Sequence, residues 1–327
     1  MFVLGIQGSP RKNGNSQFLL SSFLKACEAL GAKTHVIHTP GLDISPCKEL
    51  LVCEKKGFCP LKDKMEILGY QMIKKADVVI LASPVFFYNV SAQAKIFIDR
   101  CQMFWGRKYK LGLKDPDRFS RQGFLLSVAA SGGKRLFEGV ELTAKYFFDA
   151  VSADFTGSLT YKKVEDAGDI IVRPELDQEI QEAAAHVLSQ EMDKKQLFFV
   201  SDHGRSRSLM AAAFAKEEAQ GRIRVSAAGL TAGEPPKQEM IKAMADCGLD
   251  LKYGSVLFPE DFAQAFEKLS PHDRVVYIGT KNQRPTDFGL PERTIIWEIP
   301  EPEPGNYKFV LDARKRIQAK VKSLGGF

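Results

Sequence analysis

The chain has 327 residues, 44% of them hydrophobic and 26% charged, the balance of an ordinary globular protein with apolar material for two cores. Its formal net charge of +6 is spread along the sequence without a basic run interleaved with aromatics, which argues against nucleic-acid binding and suits small anionic ligands. No apolar stretch is long enough to span a bilayer and no signal-peptide pattern follows Met1. A cytoplasmic, reducing location is therefore expected, with the six cysteines as thiols or metal ligands rather than disulfides.

The first half alternates short apolar runs with amphipathic stretches. Strands are expected at 2–7, 34–38, 76–82, 123–129 and 155–161, and helices at 16–30, 91–103 and 136–150. Such alternation implies parallel strands joined by crossover helices, a doubly wound α/β sheet with its ligand at the carboxyl ends of the strands. A charged helical stretch at 174–191 leads to a fresh strand at 196–200, which sets domains of 1–193 and 194–327. The second half repeats the pattern on a smaller scale. Helices are expected at 204–218, 237–247 and 307–321, and strands at 223–227, 274–278 and 294–297.

Between the first strand and the first helix stands Gly8-Ser9-Pro10-Arg11-Lys12-Asn13-Gly14-Asn15-Ser16. Exposed N–H groups, the positive end of the helix and Arg11 would converge there on an anion, with Ser9, Asn15 and Ser16 as side-chain partners. The pattern has neither the glycine spacing of dinucleotide folds nor the Gly-Lys-Ser/Thr of P-loop NTPases, so a single phosphate monoester is the better match. The bland alternative is a polar surface turn. A second loop, Ser83-Pro84-Val85-Phe86-Phe87-Tyr88-Asn89, puts aromatics at a strand end and could slot a planar ring, although Phe86 and Phe87 could equally be core. A third, Ser131-Gly132-Gly133, supplies small residues that allow close approach at the same edge.

These three loops, with Asn89-Val90-Ser91-Ala92-Gln93 and Phe97-Ile98-Asp99-Arg100, resemble the NAD(P)H-dependent FMN reductase and iron–sulfur flavoprotein family over most of residues 1–165. The resemblance implies a flavodoxin-like fold and FMN held by Ser9, Arg11, Asn15, Ser16, Pro84, Val85, Phe86, Phe87, Asn89, Ser131, Gly132 and Gly133. It also implies hydride from NAD(P)H, an unidentified electron acceptor and a homodimer. The flavin would carry the chemistry, so no protein acid or base is expected. Family members with a cluster carry four cysteines; here Cys47, Cys53 and Cys59 remain, with Leu50 where the second would fall. A vestigial loop of thiols is the first expectation, ahead of an iron–sulfur cluster with an outside fourth ligand and of zinc.

In the second half, the loop 200–208 again follows a strand and opens a helix. Ser201, His203, Gly204, Arg205, Ser206 and Arg207 are its anion-binding candidates. The spacing from Ser201 to Arg207 and Ser208, with Trp297-Glu298-Ile299-Pro300-Glu301-Pro302, resembles the low-molecular-weight phosphatase and arsenate reductase fold. Ser201 stands where that family has its cysteine nucleophile, and Glu301 where it has an aspartate acid. A serine hydroxyl without a base stays protonated, so the resemblance implies a degenerate, anion-binding domain. Arsenate reduction would need cysteines in the stretch 279–285, which has none. Cys247, expected on a buried helix, is the one thiol of this half. The expected function is an FMN-dependent NAD(P)H oxidoreductase. The alternatives are a flavin- or phosphate-sensing module with little turnover and, third, residual phosphatase or arsenate reductase activity.

Overall fold

The computed structural model describes residues 1–231, 236–257, 266, 269–280, 289–302 and 305–326. The chain divides into two compact units, Met1–Gly112 with Ser120–Met192, and Leu113–Phe119 with Asp193–Phe327. The change of unit after Met192 lies one residue from the expected boundary. The segment 113–119, however, groups with the second unit although the sequence reading left it in the first. The reason is long-range pairing that no local pattern announces. Lys114 N–H donates to the Gly248 carbonyl at 2.8 Å, Asp250 N–H donates back to the Lys114 carbonyl at 2.8 Å, and Lys216 pairs with Asp117 at 2.5 Å.

The first unit is built on five parallel strands, β1 (Phe2–Gln7), β2 (Lys33–His38), β3 (Val78–Pro84), β4 (Gln122–Ala129) and β5 (Asp154–Lys162). Their order, β2-β1-β3-β4-β5, is that of the flavodoxin-like doubly wound sheet. The apolar runs are continuous rather than alternating because both faces of the sheet are covered; every residue of β4 is buried. One face packs Val3, Ile80, Phe124 and Leu126 against Leu20, Phe23, Ile180 and Leu188 of the helices Asn15–Ala29 and Leu176–Met192. Arg121, fully buried at the start of β4, is held by the carbonyls of Ala76 and Val151 at 3.0 and 2.9 Å and so joins three chain segments.

The second unit has four parallel strands, β6 (Gln196–Ser201), β7 (Arg224–Gly229), β8 (Arg274–Gly279) and β9 (Ile295–Glu298), in the order β7-β6-β8-β9. The helices Arg207–Ala219, Gln238–Ala245 and Tyr307–Leu324 cover one face, where Phe199, Met210, Met244, Val276, Ile278 and Ile317 form the core. The first of these begins at Arg207, three residues later than expected, because Gly204 takes φ +68 and interrupts helical geometry. Cys247 is exposed just beyond Gln238–Ala245, not buried on it: the helix stops short of it. Among the described residues no helix is long and apolar enough to cross a membrane.

The core of the first unit is closed tightly around one glycine. A Cβ at Gly123 would stand 2.5 Å from the Phe148 ring, and Phe148 is fully buried. Gly123→Ala is expected to destabilise the protein by about 1–3 kcal/mol through overpacking. Chemical denaturation should then show the loss with the fold retained.

Candidate functional site

Parallel connectivity brings the ends of β1, β3 and β4, adjacent strands, to one edge. The expected loops therefore meet. Gly8 N–H donates to the Ala82 carbonyl at 2.7 Å, and Val85 N–H to that of Val128 at 2.9 Å. Ser91 ties the first two loops together: its N–H donates to Ser83 Oγ at 3.0 Å, and its hydroxyl donates to the Gly8 carbonyl while accepting from Ala94 N–H. Gly8 has no space for a side chain, since a Cβ would lie 2.7 Å from Ala94 Cβ. Ser91 was placed in the motif but not assigned this positioning role, which only the folded chain reveals.

The first loop has the donor chemistry of an anion site. The helix Asn15–Ala29 starts with no side-chain cap and no acidic residue in its first turn. Gly14 carbonyl takes the N–H groups of Gln17 and Phe18, both at 3.0 Å, whereas the N–H groups of Gly14, Asn15 and Ser16 meet no acceptor among the described residues. Ser9 and Ser16 are buried, and Arg11 is exposed at the rim. Gln7, the last residue of β1, is 1% exposed; its Oε1 accepts from Ser9 N–H at 3.0 Å, but its Nε2 has no partner. A buried amide without a partner at the end of a strand is costly unless something binds there. The sequence reading counted Gln7 only as a strand end.

A fourth segment, after β5, also reaches this edge. Asn15 Nδ2 donates to the Asp166 carbonyl at 2.8 Å, and Asn15 Oδ1 accepts from Gly168 N–H at 3.0 Å. Arg11 donates to the Glu165 carbonyl at 2.9 Å, and the buried Val164 and Ile170 anchor the segment at either end. Asn15 thus holds a neighbouring loop in place; a ligand-facing role for its amide, expected from the sequence, would compete with these bonds.

The aromatic loop is strained. Phe86 and Asn89 exchange backbone hydrogen bonds at 2.8 and 3.0 Å, closing a two-residue turn in which Phe87 and Tyr88 both have left-handed φ, +49 and +62. Such a turn favours Asn-Gly, and here it displays Phe87 to solvent over its whole surface, with Phe86 and Tyr88 about half exposed. Neither ring is core. Pro84 and Val85 are half-buried beneath them. Asn89 Oδ1 is occupied by Val90 N–H at 2.7 Å and the Thr143 hydroxyl at 2.9 Å. Ser131 and Gly132 lie exposed and Gly133 half-buried on the neighbouring loop. A strained, apolar, solvent-facing loop beside a donor cluster is what a planar ligand with an anionic tail would use.

The three cysteines lie elsewhere in this unit. Cys47 and Cys53 line an open groove of about 830 Å³ together with Cys101, Trp105, Tyr109 and Tyr146, and none of the expected ring- or phosphate-binding residues lines it. Donor chemistry, not volume, marks the anion site. Burial, and then the neighbouring thiols of Cys59 and Cys47, raise the Cys53 thiol above its ordinary range. Cys59 Sγ lies 3.5 Å from a guanidinium nitrogen of the buried Arg100, which Asp63 holds in an ion pair at 2.6 Å. Among the described residues no group of three or more His, Cys, Asp or Glu side chains is arranged to hold a metal ion. With Leu50 in place of a fourth cysteine and half exposed, the donors present do not fit an iron–sulfur cluster.

In the second unit, Ser201 is buried at the end of β6 and its hydroxyl donates to Ser208 Oγ at 3.0 Å. His203 points to Thr231 Oγ1 at 3.0 Å rather than to Ser201, so it is no base for that hydroxyl. Arg207 is held by Asp202 at 2.8 Å, the Ile299 carbonyl at 2.8 Å and Glu301 at 2.6 Å. Two carboxylates thus compensate this buried guanidinium. Tyr277 donates to the other Asp202 oxygen at 2.6 Å, and burial, with that hydrogen bond, raises its hydroxyl above the ordinary tyrosine range. Residues 281–285, where resolving cysteines were sought, lie outside the described residues.

Residues 1–153 match the family model described as NADPH-dependent FMN reductase. An iron–sulfur flavoprotein of Archaeoglobus fulgidus is 42% identical over 100 residues, covering 31% of this chain and 45% of the relative. Another, from Methanocaldococcus jannaschii, is 40% identical over 100 residues, or 31% of this chain and 51% of the relative. The chain thus spans about half the length of these curated relatives. An FMN-dependent NADH-azoreductase from Bacillus anthracis aligns over 57% of this chain and 99% of its own, at 15% identity and a TM-score of 0.45.

The turn strain is measurable. Tyr88→Gly removes the cost of a left-handed side chain, part of which glycine's greater unfolded-state freedom offsets, so stability is expected to rise by about 1 kcal/mol. Urea denaturation checks this; an unchanged or lower midpoint would mean that the two residues are not strained.

Proposed function

We propose that the first unit binds FMN at the edge formed by the loops after β1, β3 and β4, and that the protein passes electrons from NAD(P)H to a small-molecule acceptor. The observation that carries this reading is the cluster of donors without acceptors at the end of β1: the N–H groups of Gly14, Asn15 and Ser16 with the buried Nε2 of Gln7. Those donors and Arg11 fit a phosphate monoester. Phe86, Phe87 and Tyr88 would cover one side of a flat ring, with Ser131, Gly132 and Gly133 allowing close approach. FMN, when bound, supplies the capacity to accept hydride and release electrons. The chain's own residues hold its phosphate, orient its ring and limit water at it. The match of residues 1–153 to the FMN reductase family supports the same reading.

The reading includes a homodimer, supported by the exposed Leu142 and Tyr146 on the helix Glu138–Ala150, and a reducing cytoplasmic setting, supported by six free cysteines. For the second unit we infer a phosphatase-type cradle without a nucleophile. The strand order β7-β6-β8-β9 and the spacing from Ser201 to Arg207 support the likeness, and the Ser201 hydroxyl, donating to Ser208, supports the absence of ester hydrolysis.

Binding and turnover test the proposal separately. FMN should be retained through gel filtration, riboflavin should bind at least about tenfold more weakly because it lacks the phosphate, and Arg11→Ala should weaken FMN by about tenfold while leaving riboflavin unchanged. Equal affinity for the two flavins would remove the cradle. NAD(P)H oxidation that depends on FMN and on an added quinone or azo acceptor is expected; tight FMN binding without such oxidation would favour the sensing module.

A further inference from the structure

The cysteines Cys47, Cys53 and Cys59 do not fit a cluster, yet the fold holds them firmly. The stretch that carries them is closed at its base by Lys64 N–H, which donates to the Asp43 carbonyl at 3.2 Å, and is pinned by two buried arginines. Arg100 donates from Nη1 to the Ser45 carbonyl at 2.8 Å and pairs with Asp63, whose carboxylate also accepts from the N–H groups of Ser45 and Met65 at 3.0 and 3.1 Å. Arg107 donates to the Gly57 carbonyl at 2.8 Å, and a Cβ on Gly106 would stand 3.0 Å from the Cys53 carbonyl oxygen. Between these anchors Glu49, Leu51 and Gly57 take left-handed φ of +51, +56 and +69, bending the chain on both sides of the short helix Val52–Lys56. Two of the three are not glycine, so the bends cost conformational energy that the anchors offset.

The bends gather the sulfurs around Cys53. After burial, the thiols of Cys59 and then Cys47 are what raise the Cys53 thiol, so both stand within electrostatic reach of it. Their surroundings differ. Cys47 and Cys53 line the open groove, where a small molecule can reach them, and Cys59 is half-buried and does not line it. Cys59 Sγ instead accepts from Arg100 Nη2 at 3.5 Å. The guanidinium of Arg100 is shared between one carboxylate and this sulfur, and its buried Nε has no partner among the described residues. Positive charge beside a sulfur is the ordinary means of supporting thiolate chemistry.

We propose that Cys53 and Cys59 are a redox-active dithiol that exchanges with a low-molecular-weight disulfide admitted by the groove. Cys53 attacks one sulfur of that disulfide, the S–S bond breaks, and the Cys53 proton passes through water to the departing sulfur, releasing one small thiol. Cys59 then attacks the Cys53 sulfur of the mixed disulfide, the second small thiol leaves with the Cys59 proton, and an intramolecular disulfide remains. Two protein thiols are oxidised and one small disulfide is reduced to two thiols, so atoms and electrons balance. The negative charge that Cys59 carries as it attacks falls beside Arg100. The inference rests on the misfit of these cysteines to a cluster and is independent of flavin binding.

Peptide mapping tests it, because trypsin, cutting after Lys48, Lys55, Lys56 and Lys62, places Cys47, Cys53 and Cys59 on separate peptides. The reduced, folded whole protein is incubated with excess oxidised glutathione, its free thiols are alkylated, and the digest is read by mass spectrometry without reduction. The peptides of Cys53 and Cys59 should be joined, and dithiothreitol should restore both thiols while the circular dichroism of the native fold stays unchanged. Cys47→Ser should join them equally. Cys59→Ser should stop at glutathione on Cys53, and Cys53→Ser should leave Cys59 free to alkylate. Joining of Cys47 to Cys53 instead would overturn the pairing, and glutathione on Cys59 in Cys53→Ser would overturn the order of attack. Wild type with both Cys53 and Cys59 alkylated would overturn the dithiol itself.

Discussion

The first turn of an α-helix holds backbone N–H groups that have no acceptor within the helix, and a parallel sheet delivers that turn to the carboxyl ends of its strands. Everything distinctive about this chain depends on how that requirement is met at two places. After β1 and after β6, the chain enters a helix without a capping hydrogen bond and without an acidic residue in the first turn. Apolar continuity of the strands makes the sheets parallel, parallel connectivity makes the edges, and the edges gather the donors.

The two places differ in what their surroundings do. At the first, a neighbouring segment is tied down by Asn15 and Arg11, an aromatic turn stands exposed at some conformational cost, and Gln7 keeps an amide nitrogen without a partner. These are locally unfavourable features, and they are what the proposed flavin site would use. At the second, the nearby arginine is neutralised from within by Asp202 and Glu301. The first edge carries an exposed arginine at its rim, and the second a buried arginine paired with two carboxylates.

Much of this was legible in the sequence because it depends on local pattern. Apolar runs separated by amphipathic stretches yield the parallel strands, and small or aromatic residues at the strand ends mark the loops that meet. What was not legible depends on long-range contact. Lys114 pairs with a loop about 135 residues away in sequence, a separation over which spacing carries no signal, and so the segment 113–119 was placed in the wrong unit. The pairing of Arg207 with Glu301, the role of Ser91 between two loops and the hold of Asn15 on the segment after β5 are likewise properties of the assembled fold. Gln7 did carry a signal: a polar residue closing an otherwise apolar strand at the ligand edge.

The central claim is that the donors after β1 hold the phosphate of a flavin. Phosphorus NMR of the whole protein mixed with FMN measures this at the phosphate itself. Free phosphate monoesters change ionisation with a pKa of about 6, whereas a phosphate held by several N–H donors and a guanidinium stays dianionic. The account predicts a bound resonance that does not move between about pH 5 and pH 8. A resonance that titrates as free FMN does, or the absence of any bound resonance, would contradict it.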